Sequence, residues 1–201
     1  MVDRRQTKSH GTSAGPALRR DAEANRERVL AAATAAVKRE GDKVPLATIA
    51  ADAGVGIGTL YRRYPTREAL LAALTDRSFR LVLDVAVRAA ELEGPALASI
   101  GQFLDQTIDH RDELVLPLHG GPAALDESMN RLSAGIRHAL EEILARGRRD
   151  GSIRANVTAT DIIIMGAMLA RPLPHAPDWD PIARRQMAVY LDGLSMTSAD
   201  A

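Results

Sequence analysis

The stretch from Leu46 to Leu70, LATIAADAGVGIGTLYRRYPTREAL, gathers the most distinctive chemistry of the chain. Within it, Ile57, Gly58, Thr59, Tyr61, Arg62 and Arg63 fall on the outward side of a short segment whose inward position is Leu60. One small residue, two hydroxyls and two guanidiniums suit a groove lined by phosphates and base edges, because both surfaces are rich in hydrogen-bond acceptors. The segment follows Gly54-Val55-Gly56, a three-residue turn after another short helix. A helix, a tight glycine turn and a second helix are the parts of a helix-turn-helix DNA reader. Ile49 and Ala50 are expected to face Leu60 with Val55 in the elbow. Gly54 is expected to take the sharp turn at least steric cost.

Other groupings carry less. Gly54-x-Gly56-x-Gly58-Thr59 lacks both the preceding strand and the G-x-G-x-x-G spacing of a dinucleotide loop. His119-Gly120-Gly121 is similar to the oxyanion loop of some lipases, but no G-x-S-x-G elbow accompanies it. The five histidines include no pair four residues apart, so no metal site is expected, and no cofactor. Asp109-His110-Arg111-Asp112 reads as a solvated helix end. Arg146 to Arg149 reads as a helix C-terminus whose cations match the helix dipole.

The composition bounds the rest. The chain has 201 residues and no cysteine, which excludes disulfides, thiolate metal sites and a cysteine nucleophile. Its longest apolar run, Ile162 to Ala170, is nine residues, about half of what a bilayer span needs. No apolar stretch follows Arg4, Arg5 and Lys8, so a soluble, cytoplasmic protein without membrane contact is expected. The formal charge is zero, but residues 1–67 hold thirteen basic against seven acidic side chains. A basic front and an acidic back suggest a polyanion partner for the front alone.

Alanine, leucine and arginine dominate, and no half-buried strand pattern occurs, so the fold is expected to be all-α. Residues 1–20 read as a disordered basic arm. Helices are expected at 21–40, 45–53, 57–64, 66–91, 95–110, 125–149, 159–169 and 181–194, with a loop over 116–122. Val29, Leu30, Ala33, Ala36 and Val37 supply the first buried face, and Leu70, Leu71, Leu74, Phe79, Leu81, Leu83 and Val87 the buried sides of the long fourth helix.

Three blocks at fixed spacing resemble the TetR family of transcriptional repressors over residues 26–74. They are Ile49-Ala50-x-x-Ala53-Gly54-Val55, Gly58-Thr59-Leu60-Tyr61 and Tyr64-Pro65-x-x-Glu68-Ala69-Leu70. The resemblance implies a helix-turn-helix DNA-binding domain at 21–76, with its motif at about 45–64. A larger helical domain for effector binding and dimerisation would fill 77–201. It makes 57–64 the recognition helix, with Thr59 and Tyr61 at phosphates or base edges and Arg67 on a phosphate. Ile57, Gly58 and Arg62 take positions that vary with the operator. Pro45 and Ala47 depart from a family hydroxyl and basic residue, leaving backbone contacts to Thr48 or the arm. Gly56 replaces a capping serine, a change of a few tenths of a kcal/mol.

In the second domain the family places a pocket and a dimer interface, the latter on the last two long helices. Gly166, Ala167 and Ala170 form a small-residue face that lets another helix approach closely, beside Met165 and Met168. Met187, Tyr190 and Leu194 extend the expected interface. Phe103, His119, Met129, Met168, His175 and Trp179 are the pocket candidates. The expected function is a homodimeric repressor on a palindromic DNA operator, released by a small-molecule effector. A small helical enzyme, or a DNA-binding protein without ligand, are the alternatives.

Overall fold

The computed structural model describes residues 16–41, 43–115, 126–173 and 176–195. Among these, eight α-helices account for the regular structure: α1 (Pro16–Glu40), α2 (Leu46–Asp52), α3 (Ile57–Arg63), α4 (Arg67–Glu91), α5 (Ala96–Asp109), α6 (Glu127–Arg149), α7 (Ala159–Leu169) and α8 (Trp179–Leu194). A 3-10 turn at Arg111–Glu113 follows α5, and a lone antiparallel bridge joins Ile153 to Ser195. The fold is all-α. Residues 1–15 of the expected arm and the loop at 116–122 lie outside the described residues. The rest of that arm is a correction: α1 begins at Pro16, since proline is accepted in a first helical turn and Ala-Leu-Arg-Arg are good helix formers.

Two apolar cores divide the helices. The first collects Val29, Leu30, Ala33, Ala36 and Val37 of α1 with Ile49, Ala50, Leu60, Tyr64, Leu70 and Leu74. The second is built by the far half of α4 and by α5 to α8, around Phe103, Leu104, Leu140, Ile143 and Ile162. We call these units the head and the body. The long helix α4 belongs to both: Leu70 and Leu74 lie in the head, and Val82, Val85, Ala86 and Ala89 in the body. Val87, expected inside, is exposed, and Leu71, Phe79, Leu81 and Leu83 are only partly covered. The alanines at 86 and 89 are buried instead, and α6 packs along α4 with Gly135 beside Leu83.

Local rules explain the ends. Thr66 caps α4 by accepting from the Ala69 N–H at 3.1 Å, and Thr158 and Asp161 form a reciprocal capping box on α7. Gly54 has φ +64°, a left-handed value that glycine adopts without steric cost, as the turn requires. At the end of α6, a Cβ on Gly147 would lie 2.5 Å from Ile153, so only glycine lets that contact form. Arg146 and Arg148 beside it are partly buried and structural, whereas Arg149 is exposed. Arg146 donates to the Ala90 carbonyl at 2.8 Å and to Ser99 at 3.0 Å, and Arg148 donates to the Val157 carbonyl at 2.7 Å.

Candidate nucleic-acid interface

The site is built on α3. Leu60 is buried against Ile49 and Ala50 of α2, with Val55 partly buried beside them, so the opposite face of α3 must point outward. Ile57 and Tyr61 are 42% and 49% exposed. Gly58, Thr59, Arg62 and Arg63 are exposed as well, and a Cβ on Gly58 would meet open space. Arg62 is held in place: its Nη2 donates to Thr59 Oγ1 at 3.0 Å, one turn back. Thr48 sits half-buried in the first turn of α2, after Pro45, which caps that helix without a side-chain bond. Six of the eight expected DNA contacts therefore stand exposed on α3, and a seventh, Thr48, is half-buried on α2.

Arg67 differs. It is partly buried, and its Nη1 donates to the Val44 carbonyl at 2.6 Å, tying the start of α4 to the chain entering α2. Its first task in this structure is to fix the angle between those helices.

The body rearranges the other expected sites. Gly166 does not face outward. A Cβ there would stand 3.5 Å from both Leu104 and Phe103, so the small-residue stripe seats α7 on α5 of the same chain. Ala167, Ala170 and Leu194 are likewise buried in the body. Met165, Met187 and Tyr190 are partly buried on that core. The outward stripe of α7 is instead Ile164 and Met168, one turn apart and 47% and 58% exposed, with Val189 of α8 exposed at 63%. Met168 is thus a surface residue, not a pocket wall. Phe103, Met129 and Trp179 are buried. Trp179 spends its one donor on the Leu169 carbonyl at 2.7 Å and closes the body rather than anchoring a ligand. His119 and His175 lie outside the described residues.

Head and body meet at the turn after α5, which sequence reasoning took for a solvated helix end. Arg77 of α4 bridges Glu27 of α1 at 3.1 Å and Glu113 of the turn at 2.9 Å. Lys38 of α1 donates to the Arg111 carbonyl and pairs with Asp112 at 3.3 Å. Burial pushes Lys38 below the usual lysine range, against the pull of Asp112. Arg111 pairs with Asp180, and Arg184 with Asp105 and Asp109, so α8 is tied to the same place. The partners lie far apart in the chain, and no local pattern could have announced them. No cluster of three or more potential metal ligands occurs among the described residues, and no helix among them is long and apolar enough to cross a membrane.

A head of this geometry on a helical body defines a class, a DNA-binding regulator. Two family descriptions match the chain: "Bacterial regulatory proteins, tetR family" over residues 29–74, and "Transcriptional regulator SbtR-like, C-terminal domain" over residues 94–196. A TetR transcription regulatory protein from Mycobacterium vanbaalenii is 32% identical, with a TM-score of 0.61, over 89% of this chain and 99% of that one. A TetR transcriptional regulator from Streptomyces coelicolor is 31% identical, with a TM-score of 0.57, over 86% and 99%. The chain belongs to the TetR family of bacterial transcriptional regulators, which bind DNA and are not enzymes. The alternative of a small helical enzyme falls with that membership. FadR from Bacillus subtilis, solved in complex with stearoyl-CoA, shares the fold at 16% identity, with a TM-score of 0.62 over 84% and 99%. No curated protein matches.

Proposed function

We propose that the protein is a cytoplasmic homodimeric repressor that reads a palindromic operator with the outer face of α3 and is released by a small-molecule effector held in the body. The observation that carries this reading is the face itself. Tyr61, Arg62 and Arg63 stand exposed on a helix that a glycine turn and a buried Leu60 hold rigid. The separate cores support a division near residue 76, with reading in the head and sensing and pairing in the body.

Two readers on a two-fold operator need a two-fold protein. The exposed Ile164, Met168 and Val189 on the last two helices offer apolar surface for a second copy to cover. In this reading Ile57, Gly58 and Arg62 select bases, Thr59, Tyr61 and Thr48 meet the backbone or a thymine methyl, and Arg63 adds charge. Arg67 serves a phosphate only after the Val44 tether is counted. An effector shifts the equilibrium only if it prefers the arrangement of heads that does not fit DNA. By linkage, the operator then weakens effector binding by the same factor.

Selection of bound sites from random duplex DNA tests the core of this. A palindromic consensus is expected, and recovery of no sequence preference overturns it. A thermal-shift screen of metabolites with the same protein separates an effector-controlled repressor from a ligand-independent one.

A further inference from the structure

Between α1 and α3 runs a groove of about 540 Å³, within the range of small-molecule sites. It lies in the head, away from the body where an effector is expected. Val29, Leu60 and the ring of Tyr64, all buried, form its apolar floor. Arg26, Arg62 and Arg63 also line it.

Two features show that this groove is chemically incomplete. Tyr64 is only 6% exposed, and its hydroxyl has no hydrogen-bond partner among the described residues. A buried hydroxyl left unpaired is costly and uncommon. The charge is also unbalanced. Arg26 pairs with Glu23 at 2.9 Å and Glu27 at 3.4 Å, but Arg62 bonds only the neutral Thr59, and Arg63 has no acidic partner among the described residues. An apolar floor, an unused hydroxyl and two uncompensated guanidiniums call for one chemistry.

We propose that the groove between α1 and α3 binds a small organic anion: a flat apolar body carrying a single carboxylate or sulfonate. The apolar body covers Val29 and Leu60, and the anion pairs with the guanidiniums of Arg62 and Arg63. The Tyr64 hydroxyl is shut off from solvent as it stands, and it donates to an acceptor on the ligand once the ligand displaces what covers it. Thr59, Arg62 and Arg63 belong to both this groove and the proposed DNA face. Occupant and duplex therefore exclude one another, a consequence that rests on the reading of α3 given above.

The probe for the test is 8-anilinonaphthalene-1-sulfonate, titrated by fluorescence into the full chain. Ala22 lines the groove from the exposed side of α1, so Ala22→Trp fills it without entering the core. Tyr64→Phe keeps the ring and removes only the hydroxyl. A saturable component of binding is expected that weakens about tenfold or more in Ala22→Trp and several-fold in Tyr64→Phe, with a thermal midpoint close to wild type in the first and no lower than wild type in the second. Binding unchanged in both variants places the probe elsewhere and overturns the proposal. The second arm adds saturating operator duplex. Displacement of this component supports exclusion. Binding that is sensitive to both substitutions yet indifferent to operator keeps the site and overturns the DNA reading of α3.

Discussion

The Val115 N–H donates to Ser78 Oγ at 2.8 Å across thirty-seven residues of chain, and the Val115 side chain is wholly buried in the core of the head. Ser78 in turn donates to the Leu74 carbonyl at 2.9 Å, so a single hydroxyl serves both roles. Val115 arrives from the end of α5, a helix of the body. The head's core is thus completed by a residue that the body delivers, and the Arg77 and Lys38 pairs brace the same turn from outside.

Ser78→Ala leaves the Val115 N–H buried without an acceptor. A loss of about 1–3 kcal/mol of stability is expected, the cost of an unpaired buried donor. Denaturant unfolding measures it. A change within a few tenths of a kcal/mol would show that the bond is not holding the joint.

Arg62 of α3 and Arg67 of α4 should separate. Arg62→Ala is expected to cost about 1–3 kcal/mol on the selected operator and to relax choice at one base position per half-site. Arg67→Ala should weaken operator and scrambled duplex alike and lower the salt slope by about one unit. Because Arg67 also holds the Val44 carbonyl, its variant alone should lose thermal stability. Titrations of both duplexes at two salt concentrations, with a melting curve for each variant, decide the matter. Equal effects of the two substitutions on specificity would contradict the division.

Gly166 and Ile164 test where the second copy sits. Gly166→Ala should fold well, since a Cβ there meets ordinary contact distances, whereas Gly166→Leu should drive into Leu104 and Phe103 and unfold the body. Ile164→Glu should leave the monomer intact and abolish pairing, because it puts a charge on the exposed apolar stripe. Sedimentation at micromolar concentration separates these outcomes. A dimer undisturbed by Ile164→Glu would remove α7 from the interface.

The Glu113 carboxyl is held below the usual carboxylate range, first by its hydrogen bond with His110 at 2.9 Å and then by Arg77. A depressed carboxylate adds stability above its unfolded value of about 4.3, and that contribution is lost as pH falls through the lower folded value. The gap in melting temperature between wild type and Glu113→Gln should therefore be open at neutral pH and close on acidification. A gap independent of pH would mean that the charge of Glu113 does not hold the turn to α4.

What could be read from the sequence was what local spacing encodes. Ile49, Ala50 and Leu60 lie within one turn motif, so their contact, the Gly54 conformation and the outward side of α3 all followed from periods of three and four. Gly166, Ala167 and Ala170 show the limit. A small-residue stripe permits close approach by any helix, and its pattern is the same whether that helix is α5 of the same chain or one from a second copy. The Val115–Ser78 bond and the Arg77 bridges join partners at least thirty-six residues apart, and no periodicity links them. Trp179 looked available for a ligand because its Leu169 partner is a backbone carbonyl, which side-chain patterns do not reveal.

Helix α4 has 25 residues, a rod of about 37 Å, and each of its halves is packed into a different core. Geometry then sets a sensitivity. A tilt of about 5° about the far end moves the near end by about 3 Å, close to the 3.4 Å rise of one base step. A change in the body that tilts α4 by so little is enough to set α3 one rung off along a bound duplex, and in the proposed dimer two heads tilting in opposite senses double the error.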